Sequence, residues 1–223
     1  MATNMKKYEK LTQYDLVKQT KRENFTFLNQ NFCKKGQTIL FGDSITEIFN
    51  HYELFYTFTE TTKQAVYNRG ISGDTSDRLL ERLYENALML EPKNLVILIG
   101  TNDIGTGCIE PEGIALNVQR ILKEVKEKSP KTHVILEAVY PVNKMLSAAS
   151  FQMVGRRTNK EVAVLNSLLQ EIAENEHVTW LDLTETLSSK HGNLAKEYTY
   201  DGLHLNAHGF KVVAEALLPL LEK

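Results

Sequence analysis

The run Leu95-Val96-Ile97-Leu98-Ile99 is apolar at every position, and it constrains the fold more than any other stretch of the chain. A strand with one wet face alternates apolar and polar residues. An unbroken short run belongs instead to a strand covered on both faces, as in a parallel sheet flanked by helices. Residues 38–41, 65–68, 134–139 and 178–182 read as further short strands. Between them, apolar residues recur at helical spacing over 75–90 (Leu79, Leu80, Leu83, Leu88), 111–128 and 158–175. The same spacing follows Asn206, through Phe210, Val213, Leu217 and Leu221. Strands alternating with helices predict βαβ units and an α/β fold with a parallel sheet. In open sheets of this kind, ligands bind outside the carboxyl ends of the strands.

At 223 residues the chain suits one domain, 1–223, without repeats or a linker. Residues 1–32 are polar with spaced apolar positions (Tyr8, Leu11, Tyr14, Val17, Phe25, Leu28, Phe32). They predict an N-terminal helical extension of one or two amphipathic helices, packed on its own domain or on a second copy in a homo-oligomer. A net charge of -2 and a pI of about 6.3 offer no basic footprint for nucleic acid. The longest apolar runs are strand-length, which predicts no membrane span. The charged N-terminus (Lys6, Lys7, Glu9, Lys10) shows no secretory signal, and two cysteines without CxxC spacing fit a reducing compartment. The expected location is cytoplasmic. Cys108 lies just past a motif loop, yet has no evident base beside it.

The chemistry lies where the predicted strands stop. Gly42-Asp43-Ser44 ends the first and opens a helix, which exposes the serine and sets its N–H at a helix N-terminus. Alone the tripeptide is equally a turn with a helix cap. Asp201-Gly202-Leu203-His204 places a carboxylate three residues before an imidazole, so that Asp201 can orient His204 as a general base for Ser44. His208 is the other histidine of that segment and reads as a helix-face residue. A metal site is the competing reading for Asp and His, but no HExxH, paired CxxC or carboxylate cluster supplies ligands. Asn102 and Gly70 stand at the ends of two further strands, as turn residues or as donors to an oxyanion together with the Ser44 N–H. No cofactor is called for.

Four blocks, Phe41-Gly42-Asp43-Ser44-Ile45-Thr46, Asn68-Arg69-Gly70-Ile71-Ser72-Gly73, Gly100-Thr101-Asn102-Asp103 and Asp201-Gly202-Leu203-His204-Leu205-Asn206, occur in this order over 41–206. In them the chain resembles the SGNH hydrolase superfamily, the GDSL-type lipase/acylhydrolases, with Ile45 in place of the namesake leucine. The resemblance implies Ser44 as nucleophile, His204 as base and Asp201 as its orienter, and Ser44, Gly70 and Asn102 as oxyanion donors. It also implies a three-layer α/β/α sandwich around a flavodoxin-like five-stranded parallel sheet of order 2-1-3-4-5. The expected activity is hydrolysis of a small-molecule ester through an acyl-enzyme, with short acyl groups such as acetyl esters, of sugars among others. A lysophospholipase or thioesterase is the alternative enzyme, and a binding protein that keeps the fold without turnover is the non-enzymatic one. No G-x-S-x-G, Walker A or G-x-G-x-x-G sequence is present.

Substrate selection is expected from loops above the strand ends. Residues 140–157 form a long connection carrying Met145, Leu146, Phe151 and Met153, then Arg156-Arg157. It reads as a lid with an arginine that reaches an anionic substrate group, or as an ordinary loop with two solvated arginines. Asp74 and Asp103 are expected to hydrogen-bond the motif loops rather than to transfer protons.

Overall fold

The computed structural model describes residues 12–222; the positions Lys6, Lys7, Tyr8, Glu9, Lys10 and Leu11 lie outside them. Five strands form one all-parallel sheet of order β2-β1-β3-β4-β5: β1 Thr38–Gly42, β2 Val66–Gly70, β3 Asn94–Leu98, β4 His133–Glu137 and β5 Thr179–Leu181. The helices are α1 Gln13–Asn31, α2 Ser44–Glu47, α3 His51–Leu54, α4 Tyr56–Thr62, α5 Ser76–Glu81, α6 Leu83–Asn86 and α7 Thr101–Thr106. They continue as α8 Pro111–Lys128, α9 Ala148–Val154, α10 Asn159–Glu176, α11 Thr184–Leu187 and α12 Ala207–Leu221.

The unbroken apolar runs are divided between two cores by the alternation of strand side chains. Ile39, Phe41, Leu95, Ile97 and Leu136 face α5, α6, α8 and α10, packing on Leu79, Leu83, Ile114, Val118 and Leu165. Leu40, Val96, Leu98 and Ile135 face the other way, onto Ile45, Phe49, Phe55, Phe210, Val213 and Leu217. This is the three-layer sandwich that the strand pattern predicts. Helix starts follow local chemistry: Thr158 caps α10 by accepting from Glu161 N, and Asn206 caps α12 by accepting from His208 N and Gly209 N. Because every strand runs the same way, all strand exits open on one edge of the sheet, and Gly42 is in register with both Gly70 and Leu98. Ser44, the loop after Gly70 and Asn102 thereby meet.

Three expectations change. The segment 75–90 is not one helix but α5, α6 and a 3₁₀ turn at Leu88–Leu90. The chain leaves helical geometry at Arg82 (φ -106°, ψ 7°), which turns that side chain into the protein, where it donates to Arg69 O, Gly42 O and Asp74. The connection 140–157 is not a bare loop, since it holds α9, capped by Ser147. Helix α1 lies on the body, but chiefly through polar side chains, with Phe25 half-buried under the Arg69 guanidinium. Tyr14, Val17, Leu28 and Phe32 are exposed, whereas Lys18 and Asn29 are buried. The surface beneath presents backbone carbonyls of the Gly73 loop and of the short helices α5 and α6, which require donors: Lys18 binds Gly73 O, Asn29 binds Glu85 O and Arg22 binds Glu81 O.

Candidate active site

Ser44 opens α2, and the helix cap is not Ser44 but Asp43, whose Oδ1 accepts from Ile45 N at 2.9 Å. The serine hydroxyl is thereby left for another partner: Ser44 Oγ lies 2.9 Å from His204 Nε2. His204 Nδ1 lies 2.7 Å from Asp201 Oδ2, while Asp201 Oδ1 accepts from Leu203 N at 2.9 Å and His204 N at 2.8 Å. The turn that carries them is pinned by Thr199, whose Oγ1 accepts from Gly202 N and donates to His204 O at 2.6 Å. The side chains of His204 and Asp201 are 14% and 12% exposed, so solvent reaches this chain of bonds without diluting it. Burial pushes the Asp201 carboxyl up, and the hydrogen bonds from His204 and Leu203 outweigh it and hold the group below its ordinary value. The Tyr200 ring lies nearly parallel to the imidazole, with ring centroids 6.0 Å apart. His208 lies on α12, and its N–H bonds the cap residue Asn206.

The Asn102 amide lies across the site on α7. Its Nδ2 donates to Asp74 O at 3.0 Å and, in a longer contact, to Asp43 Oδ2 at 3.3 Å. Its Oδ1 accepts from Arg157 Nη2 at 2.9 Å. Asp43 is fully buried, and burial pushes its carboxyl up to about 7 against the Ile45 N–H and the His204 charge. Asp74 pairs with Arg82, and Asp103 accepts from Ser76 N and Ser76 Oγ, so both hold motif loops as expected.

Gly70 has a different part from the one read in the sequence. Its N–H already donates to Asn68 Oδ1 at 2.8 Å. What its missing side chain permits is contact with α2, because a Cβ there would lie 2.2 Å from Glu47 N. Neither the N–H of Ser44 nor that of Gly73 has a hydrogen-bond partner among the described residues. The Gly73 loop is held on both sides of the glycine: Ser72 N donates to Glu47 Oε2, one turn beyond Ser44, and Asp74 O accepts from Asn102. Helix α1 supports the same loop, through Tyr14 on Ser72 O, Lys18 on Gly73 O and Lys21 on Glu47.

The connection carrying α9 borders the site on two sides. Asn143 N donates to Gly202 O at 2.7 Å, and Arg157 reaches Thr101 O and Asn102 Oδ1. Met145 and Phe151 stand out from it, 81% and 60% exposed. Beneath Asp43 and Ile45 the interior is nearly full: the cavities there measure about 10 and 0 Å³. Among the described residues, no group of acidic, histidine or cysteine side chains could hold a metal, and no helix is long and apolar enough to cross a membrane. Cys33 and Cys108 are free thiols.

Comparison with known proteins adds an independent line. The model of the GDSL-like Lipase/Acylhydrolase family matches residues 40–212. The chain is similar to the isoamyl acetate-hydrolyzing esterase of Saccharomyces cerevisiae, 27% identical over 206 residues that cover 82% of this chain and 85% of the esterase. It is also similar to an N-acylneuraminate cytidylyltransferase of Escherichia coli, 29% identical over 158 residues; these are 70% of this chain but 35% of that protein, so the chain spans about a third of its length. Among solved structures, one from Streptococcus pneumonia named for platelet activating factor superposes with a TM-score of 0.81 at 30% identity, covering 92% of each chain.

Proposed function

The chain belongs to the GDSL-like lipase/acylhydrolase family and is an ester-hydrolysing enzyme; from that premise we propose that Ser44, His204 and Asp201 carry out the hydrolysis, and that the acyl group is short. The observation that carries the mechanism is the unbroken chain Ser44 Oγ···His204 Nε2, His204 Nδ1···Asp201 Oδ2, at 2.9 and 2.7 Å. His204 takes the Ser44 proton as Oγ bonds to the acyl carbon, and the carbonyl electron pair moves onto oxygen. The tetrahedral intermediate collapses by breaking the bond to the alcohol oxygen, which leaves with the proton from His204. Water then repeats the sequence on the acyl-enzyme and frees the acid.

In this reading the developing oxyanion takes three donors: the Ser44 N–H, the Asn102 amide and the Gly73 N–H. Gly73 stands in place of Gly70, whose N–H is engaged by Asn68. Asn102 gives the oxyanion the hydrogen now in its longer contact with Asp43. The raised pKa of Asp43, about 7, leaves part of its charge off at neutral pH, which lessens repulsion of that oxyanion. Asn102→Ala is expected to leave the fold intact and lower kcat by about 10²–10³, as for loss of one oxyanion donor. Steady-state kinetics on p-nitrophenyl acetate measures it, and unchanged turnover removes Asn102 from the mechanism.

The short-acyl reading is supported by the tight packing beneath Asp43 and Ile45, which leaves no interior channel for an alkyl chain behind the strand end that carries Ser44. The yeast relative is itself named for an acetate ester. The exposed Met145, Phe151 and Met153 favour the second reading, a lysophospholipase- or thioesterase-type enzyme whose long chain lies over α9. A series of p-nitrophenyl esters, with acetylated sugars alongside, separates the two. The short-acyl reading expects kcat/KM to fall at least about 10-fold from acetate to octanoate. A rise along the series overturns it in favour of the second.

A further inference from the structure

We propose that Arg157, at the end of the α9 connection, is a positioning residue for the reaction: it fixes which end of the Asn102 amide faces the nucleophile. The inference rests on the reading of Asn102 as an oxyanion donor. A carboxamide has an acceptor end and a donor end of nearly the same shape, so its neighbours alone decide its orientation. The Nδ2 end of Asn102 faces two acceptors, Asp74 O at 3.0 Å and Asp43 Oδ2 at 3.3 Å. The Oδ1 end faces one donor, Arg157 Nη2 at 2.9 Å. Turned over, the amide would set its oxygen against a carboxylate and a carbonyl, and its N–H groups against a cation. The guanidinium also draws charge from Oδ1, which strengthens the N–H groups as donors toward an oxyanion.

Arg157 is itself held in place. Its Nε donates to Thr101 O at 2.8 Å and its Nη1 to Val154 O at 3.1 Å. The planar fork therefore grips the backbone oxygen of residue 101 and the side chain of residue 102 at once, which an ammonium group does not match in geometry. The seat exists because residue 105 is glycine: a Cβ there would lie 2.4 Å from Arg157 Cζ. The neighbouring Arg156 braces the same helix through Ile104 O at 3.0 Å. All three nitrogens of the Arg157 guanidinium thus bond protein acceptors. A substrate-binding arginine would instead keep a free pair of donors for the ligand.

The test is a double-mutant cycle read by steady-state kinetics on p-nitrophenyl acetate, with thermal melts to establish folding. Arg157→Ala is expected to lower kcat about 10- to 100-fold with KM little changed, because the amide is misplaced rather than absent. In an Asn102→Ala background the same replacement should change kcat less than about 3-fold, since the two residues act as one unit. Millimolar guanidinium ion should restore part of the turnover of Arg157→Ala and none in the double variant. Arg157→Lys should fall between wild type and Arg157→Ala, and it carries the cycle if Arg157→Ala does not fold. The proposal is overturned if the loss at Arg157 is undiminished in the Asn102→Ala background, which marks a purely structural role. It is equally overturned if KM for a carboxylate-bearing ester rises while kcat stays constant, which marks a contact to substrate charge. Unchanged turnover in Asn102→Ala alone overturns the oxyanion reading beneath it; a large loss there with an additive Arg157 effect overturns only the present inference.

Discussion

Ser44→Ala is expected to lower kcat on p-nitrophenyl acetate by about 10⁴–10⁶ and to abolish labelling by a fluorophosphonate probe. The size follows from what remains. His204 Nε2 is directed at Ser44 Oγ, 2.9 Å away, and without that oxygen the base has no nucleophile to activate except water. The proposed oxyanion donors persist in the variant, so turnover should stop above the uncatalysed rate rather than at it. The hydroxyl makes one side-chain hydrogen bond in a half-buried position, so its loss changes stability by about 1 kcal/mol and the fold is kept. Equal labelling of Ser44→Ala and wild type would place the reactive serine elsewhere and sink the mechanism.

Asp201→Asn is the second large effect, a loss in kcat of about 10⁴. One carboxylate here does two jobs: Oδ2 accepts the hydrogen bond from His204 Nδ1–H, and Oδ1 accepts from the N–H groups of Leu203 and His204. An amide has only one acceptor oxygen. If that oxygen serves the backbone, the NH₂ end faces Nδ1 and forces the imidazole proton onto Nε2, the nitrogen that should receive the Ser44 proton. If it serves Nδ1, two backbone N–H groups meet an NH₂. The same bonds make a stability prediction with a definite sign. The folded-state pKa of Asp201 lies below its ordinary 3.8, so the group stabilises the fold above that value, and the contribution is lost as pH falls through the folded pKa. The melting-temperature gap between wild type and Asp201→Asn should therefore be full at pH 7 and shrink below about pH 3.8. A gap that widens in acid would show that the carboxylate is not held by these bonds.

Ser44, Gly70 and Asn102 could be placed near one another because a parallel sheet sends every strand exit to one edge; Asp201 and His204 lie well beyond the end of β5 and are singled out by their spacing and by the four motif blocks. The strands were legible for a related reason: residues buried on both faces leave no polar interruption. What escaped depends on partners distant in the chain. Leu79, Leu83 and Leu88 are buried whether 75–90 is one helix or three pieces, so their spacing could not report the break at Arg82. Helix α1 docks through Lys18 and Asn29 because its partner surface is a row of carbonyls, and a hydrophobic pattern is blind to carbonyls. A glycine at position 70 signals a close approach without saying to what, and only the Asn68 side chain reveals that its N–H is occupied. The pair Arg156-Arg157 reads as surface charge or a substrate contact; in the fold both arginines donate to α7, across more than fifty residues of chain.

The segment shared with the family begins at residue 40, inside β1, while α1 lies wholly before it. Yet Tyr14, Lys18 and Lys21 bind the loop that carries Gly73 or the glutamate that holds it. A fragment cut to the matched limits would keep every residue of the proposed triad and lose the brace that α1 places on the Gly73 loop. The outline by which such chains are recognised is therefore narrower than the unit that has to be cloned, tagged or grafted. A fusion partner joined ahead of α1 is joined to a helix whose lysine bonds the Gly73 carbonyl directly.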